Sequence, residues 1–326
     1  MLARRAFLSG GAATIGLCAT GQAFAQSYPN RPIKLVLPFP PGGPTDGAAR
    51  LIGERLSAAL GQPIVIENRA GGAGGTIGAK AVATADPDGY TLLISAPGPL
   101  VTAPAIYKNA GYDPAKDFAP VASLFSSPQI LVVNSAVPAK TMRELVDHAK
   151  ANPGKISYAS PGFGTQPHLL GELIRLKTGV DIIHVPFRGS APAMTDLLAG
   201  QVQVFFDTTT FLLPHLESGH VRALAVADST RSPQIPQVPT TGESGYPTVQ
   251  GTFWTGVVAP AGTPADIVGK LNAAINAIVM SKEMGETLTK LSATPKVGTP
   301  AAFAAFMAAE TKKWTEVIVA AGIKGE

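Results

Sequence analysis

The 326-residue chain is 45% hydrophobic and 15% charged, with 35 Gly and 29 Pro and a mean hydropathy of +0.20. This is a globular composition, long enough for two domains linked by many tight turns, and it excludes a disordered or fibrous chain. The formal net charge of +4 comes with no basic run or basic–aromatic cluster, which argues against nucleic acid as a partner.

At the N-terminus, Arg4 and Arg5 precede an apolar stretch from Ala6 to Thr20. Ala23-Phe24-Ala25 then supplies an A-x-A cleavage site with Gln26 as the new terminus. This predicts a signal peptide over residues 1–25, too short for a membrane span. The paired arginines also fit a twin-arginine export signal, so either route is open. Cys18, the one cysteine, lies in this leader, and Leu17 before it does not suit a lipoprotein signal. The expected mature chain has no thiol or disulfide.

From Tyr28 to Ala96 strand and helix patterns alternate. IKLVLPF (33–39), PIVIENR (63–69) and TLLISA (91–96) are Val/Ile/Leu runs of the kind found in buried parallel strands. Between the first two, DGAARLIGERLSAAL puts Ala49, Ile52, Leu56 and Leu60 at helical spacing. GGTIGAKAVATADPDG is a shorter crossover that ends in a turn. A second series begins with ILVVN (130–134) and the helix TMRELVDHAKANPG, where Thr141 and Glu144 form a capping box. ISYAS (156–160), HLLGELIRLKTG, DIIHVPF (181–187), APAMTDLLAG, VQVFFD (202–207), LLPHLESG and VRALAVAD (221–228) continue it. Both series predict βαβ units.

The C-terminal part reads as two long helices beside one strand, FWTGVVAP (253–260). Helices without a sheet of their own must cover another, most simply that of the first domain. Two continuous runs, FAPVASLFSSPQILVVN and VRALAVADSTRSPQIPQVP, predict interdomain crossings near Ser123–Ser127 and Ala225–Asp228. Two crossings make a hinge with a cleft. Domain I is expected over 26–124 and 228–326, and domain II over 125–227.

Three loops could carry chemistry. PFPPGGPTDG joins a strand end, a glycine turn and a helix start, whose amides and dipole favour an anion. It lacks the lysine of a phosphate loop, and Asp46 would repel phosphate, which points to a carboxylate. Asp46 could otherwise simply cap the helix. ASPGFGTQPHLLGEL (159–173) has the same architecture: Gly162 and Gly164 permit close backbone approach, Thr165 offers a hydroxyl, and His168 opens the helix. Both loops sit at carboxyl ends of strands, where open α/β sheets bind ligands, although two ordinary turns would look alike. VPFRGSAPAMTDLLAGQVQVFFD contributes Arg188, Gly189 and Ser190 before a helix, and Asp207 at the end of the next strand. Asp207 could receive a ligand ammonium or hydroxyl, or cap the DTTTF segment. Phe39 and Phe187 are cleft walls or core, and Ser95, ending the third strand, completes the candidate set.

Enzyme and cofactor signatures are weak. GGAGGTIG (71–78) has Ile77 where the dinucleotide fingerprint needs a glycine. YDPAK (112–116) contains Tyr-x-x-x-Lys, but Pro114 would break the shared helix. His148, His168, His184, His215 and His220 show no metal-ligand spacing, and no G-x-S-x-G elbow is present. No cofactor or metal is expected. A secreted hydrolase or isomerase using Asp46 and His168 is the rival reading, and the effector domain of a transcription regulator a second.

YPNRPIKLVLPFPPGGPTD, IVIENRAGGAGGTIGA, DGYTLL, YDPAKDFAPV, SPGFGTQPHLLGEL, HVPFRGSAPAMTDLLAGQV and APAGTP together resemble the Bug-type substrate-binding proteins of tripartite tricarboxylate transporters. The resemblance implies a two-lobed α/β fold of type II periplasmic-binding-protein kind, with two crossing strands and a cleft for small carboxylates. It implies a periplasmic, monomeric, non-enzymatic receptor for a di- or tricarboxylate, acidic amino acid or aromatic acid, with permease subunits as partners. It also implies carboxylate contacts at Pro41, Gly42, Gly43, Thr45 and Asp46 on one lobe, and at Ser160, Gly162, Gly164, Thr165 and His168 on the other. The three threonines Thr208–Thr210 depart from the family pattern.

Overall fold

The computed structural model describes residues 28–107 and 110–325; the expected leader, with Cys18 and the cleavage site, lies outside them. The first half contains β1 (Ile33–Leu37), α1 (Pro44–Leu60), β2 (Ile64–Asn68), α2 (Thr76–Ala83) and β3 (Thr91–Ser95). A π-helical turn, Gly98–Thr102, runs into α3 (Ala103–Ile106), and α4 (Pro114–Asp117) precedes the long strand β4 (Phe118–Asn134). Then come α5 (Met142–Ala151), β5 (Ile156–Ser160), α6 (Gln166–Thr178), β6 (Ile182–Pro186), α7 (Ser190–Leu198), β7 (Val204–Thr208), α8 (Thr209–Glu217) and β8 (Val221–Val226). The chain returns through β9 (Thr252–Pro260), α9 (Ala265–Val279), α10 (Lys282–Lys290), β10 (Thr294–Pro295) and α11 (Pro300–Ala320).

The strand order is β2-β1-β3-β9-β4-β7-β5-β6, with β8 and β10 also paired to β4. Strands β1, β2 and β3 are parallel, and so are β5, β6 and β7. Between the two parallel sets runs β4. It pairs with β9 from Phe118 to Pro128, and with β7 from Gln129 onward. One strand therefore belongs to both sheets, with Pro128 ending one ladder and Gln129 opening the next.

Alternate residues of the central strands enter opposite helical layers, as the two-residue period of a strand requires. Leu35 and Leu37 pack with Ile52, Leu56, Leu271 and Ile275 under α1 and α9, while Val36 faces the other layer with Ala79 and Val82. In the second half Ile130 and Val132 pack with Met194 and Leu197, whereas Leu131 and Val133 meet Leu145 and Leu169. Burial on both faces is why these strands are unbroken apolar runs in the sequence.

The structure differs from the sequence reading at three places. Helix α1 starts at Pro44, with extended Gly43 as its N-cap, so Asp46 is in the first turn and not the cap. Pro at the first helical position needs no N–H and is already set to helical φ. Helix α10 and the short β10 were not anticipated. Finally, α11 covers more than the first sheet: it packs on β4 and also on α6 of the second half, where Trp314 joins Leu169 and Leu170 in one core.

Candidate ligand-binding site

Three strand-to-helix loops, after β1, β5 and β6, converge on one cavity of about 90 Å³. A single water occupies roughly 10–15 Å³ on this measure, so the space suits a small organic molecule. The first loop contributes Phe39, Pro41, Gly43, Thr45 and Asp46, the second Thr165 and Gln166, and the third Arg188, Gly189 and Ser190. Gln129 of β4, Asp207 of β7 and Phe253 of β9 also line it.

The N-termini of α1, α6 and α7 all open here, and none carries a side-chain cap. By contrast α5, α8, α10 and α11 are capped by Thr141, Thr208, Ser281 and Thr299. Pro44, Pro167 and Pro192 have no N–H and the Asp46 amide bonds to Gly43 O; the remaining first-turn amides and the positive ends of the helix dipoles can take an anion. Arg188, exposed at the same site, makes no ion pair among the described residues.

Asp46 shapes the loop. Its carboxylate accepts the Gly42 amide at 3.2 Å, Arg50 Nε at 2.9 Å and Asn68 Nδ2 at 3.2 Å, and Asn68 also holds Phe39 O at 3.1 Å. Burial opposes the charge, but the bonds from Arg50, Gly42 and Asn68 outweigh it and hold the carboxyl below its usual range. Gly42, at φ +89°, makes the turn that a side chain would strain.

The second loop is braced from behind. The Thr165 hydroxyl donates to Gly162 O at 2.6 Å, and Gly164 N donates to His168 Nδ1 at 3.0 Å. Ser160 Oγ lies 2.7 Å from His184 Nε2, and the rings of His168 and His184 stack with centroids 3.9 Å apart. Burial first, then the charge of neighbouring groups, pushes His168 down to about 2 and His184 to about 4, so both are neutral. Across the cleft, Thr102 donates to Gly164 O at 2.6 Å. A Cβ built on Gly189 would lie 3.0 Å from Pro40 Cγ, so the first and third loops already touch.

Of the expected residues, Phe39, Pro41, Gly43, Thr45, Asp46, Thr165, Arg188, Gly189 and Asp207 line the cavity. Gly42 borders an adjoining apolar space, and Gly162 and Phe187 border the groove along the glycine-rich 71–75 loop. Ser95, Ser160, Gly164 and His168 stand behind the loops, outside the lining. Asp207 is not the cap of α8, which is Thr208. Its Oδ1 accepts the Thr208 amide at 2.7 Å, and Oδ2 has no partner. Burial, incompletely offset by the nearby Ser190 hydroxyl and by Thr208, pushes it up to about 6. Sequence reasoning missed Gln129, Gln166 and Phe253. For Gln129 the signal was a polar amide at the head of the apolar run ILVV, and the structure buries it fully.

A model described as the tripartite tricarboxylate transporter family receptor matches residues 48–323. The chain belongs to that family. BugT of Bordetella pertussis is 40% identical over 313 residues, spanning 96% of this chain and 95% of BugT. Among solved structures, the periplasmic binding protein BugD shares 38% identity at a TM-score of 0.86, over 92% of this chain and all of BugD. R. palustris Rpa4515 with adipate shares 39% at 0.88, over 91% and 99%. This Bug-type chain is thus a periplasmic solute-binding receptor with the α/β periplasmic-binding-protein fold. Receptors of the family serve transporters, whose membrane part is the partner. No helix among the described residues is long and apolar enough to cross a membrane.

Proposed function

We propose that this receptor closes on a small organic carboxylate and delivers it, unchanged and as a monomer, to the permease subunits of its transporter. The observation that carries the reading is the convergence on one cavity of three uncapped helix N-termini and of Arg188, which makes no ion pair among the described residues. The carboxylate sits on the amides of the first-turn residues, and Phe39 and Phe253 wall its apolar part. One lobe is built on residues 26–124 and 228–326 and the other on 125–227; the β4 hinge lies a few residues beyond that boundary, where Pro128 hands over to Gln129, and a second hinge lies where the chain returns from β8 to β9. The leader over 1–25 directs export. The adipate of Rpa4515 is a precedent for a carboxylate in this fold.

Acid–base chemistry finds no support in the same residues. The Asp46 carboxylate is occupied by Arg50, Gly42 and Asn68, and the His168 ring nitrogen by Gly164. A thermal-shift screen of ligand-free protein against mono-, di- and tricarboxylates, amino acids and aromatic acids tests the reading. A ligand at a hundred times its Kd adds about 2.7 kcal/mol, a shift of a few degrees. A hit recovered unchanged from the mixture supports a receptor; a hit consumed by the protein makes it an enzyme.

A further inference from the structure

If the helix N-termini hold a carboxylate, as proposed above, the unmade hydrogen bonds around the same cavity describe the ligand's other end. Four buried side-chain atoms of lining residues have no partner among the described residues: Asp207 Oδ2, Gln129 Oε1, Gln129 Nε2 and Gln166 Oε1. Three are acceptors and one is a donor. The balance does not depend on which way an amide is turned. Both Gln129 atoms are unpaired in either orientation, and Gln166 is fixed by its 2.8 Å bond from Nε2 to Thr252 O.

Gln129 pairs with Thr208 and Asp207 with Ile130 across the β4–β7 ladder, so the two side chains leave opposite faces of the sheet and come together only at the cavity that both line. Shielded from bulk water, each atom keeps its desolvation cost until something bonds to it. A second ligand carboxylate would add acceptors to a set already rich in them, beside the Asp207 carboxylate. The one basic residue in the lining, Arg188, is needed by the first carboxylate.

We infer that the ligand is a small monocarboxylate whose far end presents hydrogen-bond donors on nitrogen or oxygen, and that the receptor discriminates against the dicarboxylate of equal length. Asp207, Gln129 and Gln166 then determine specificity, and the chain parts from adipate-bound Rpa4515 in ligand while sharing its fold.

Calorimetric titration of ligand-free protein at pH 7.5 with matched acids tests this. The pairs are succinate with succinamate, glutarate with glutaramate and adipate with adipamate; 4-aminobutyrate and 4-hydroxybutyrate are separate arms for an ammonium and a hydroxyl. At least one donor-bearing acid should bind roughly tenfold to a hundredfold more tightly than its dicarboxylate. Asp207→Asn turns one acceptor into a donor and should shrink that ratio toward one or reverse it, with circular dichroism showing the variant folded. The wild-type ratios decide the matter even if it is not. Dicarboxylates that bind equally or more tightly throughout overturn the inference and leave a carboxylate receptor standing. Silence from every acid, mono- and dicarboxylate alike, overturns the carboxylate reading and the inference with it.

Discussion

Burial lifts Asp207 from an ordinary value of 3.8 to about 6, so near pH 5 the folded chain keeps a proton that the unfolded chain has released. A raised folded value gives stability that is whole below the unfolded pKa and is lost as pH climbs through 6. The loss is on the order of 2–3 kcal/mol by pH 7.5. Asp207→Asn should therefore melt higher than the wild type above pH 6 in the empty state, and the gain should vanish near pH 4. The histidine pair works the other way. With folded values near 4 for His184 and 2 for His168, their contribution is whole above pH 6.5 and is lost as pH falls toward those values. His184→Gln should flatten the acid limb of a melting-temperature profile between pH 6.5 and 4, while the Asp207 variant steepens it. Profiles of the two variants that ran parallel would refute both assignments.

Where helices and strands join, the touching loops leave little room. Gly189 has φ +116° and Pro40 next to its missing side chain. Gly189→Ala strains the turn by about 1–3 kcal/mol and props the first and third loops apart, so binding should weaken at least tenfold by calorimetry and the fold should melt lower by that strain. Asp46→Ala should also weaken binding, by freeing the Gly42 turn, although its carboxylate is turned to Arg50 and Asn68; an unchanged Kd would show that the loop needs no such brace. At this scale the sequence was informative where burial is two-sided. The runs that became β1, β3 and β7 could be read because every residue faces one helical layer or the other. The cap at Thr141 was also readable: Thr141 Oγ accepts the Glu144 amide at 3.1 Å, although Glu144 reaches back to the Lys140 amide, one residue before the one a capping box would use. Helix α10 was not, because KEMGETLTK buries only Met284 and Leu288. Nor was the brace on the second loop: Thr102 and Gly164 are 62 residues apart, and only the folded chain makes them partners. Gln129 was visible as a letter and silent as a role, since its unmet bonds exist only once β7 and the loops surround it.

Across the whole molecule, α11 ties the halves together. Trp314 is fully buried, its indole donates to Glu310 at 3.0 Å, and its ring lies against Gly251 on the path into β9. Trp314→Ala should cost about 3–5 kcal/mol in chemical denaturation; a loss under 1 kcal/mol would mean that α11 is a cover with no tie. β4 ties them in another manner, by running unbroken from one sheet into the other. Any turning of the sheets against each other is taken up where Pro128 hands over to Gln129, and Gln129 lines the cavity. On the closure proposed above, what fills the cavity and the outer angle of the molecule become two readings of one torsion. A membrane partner that touches only the outside would then tell a loaded receptor from an empty one, as a dial reports a pressure it never meets.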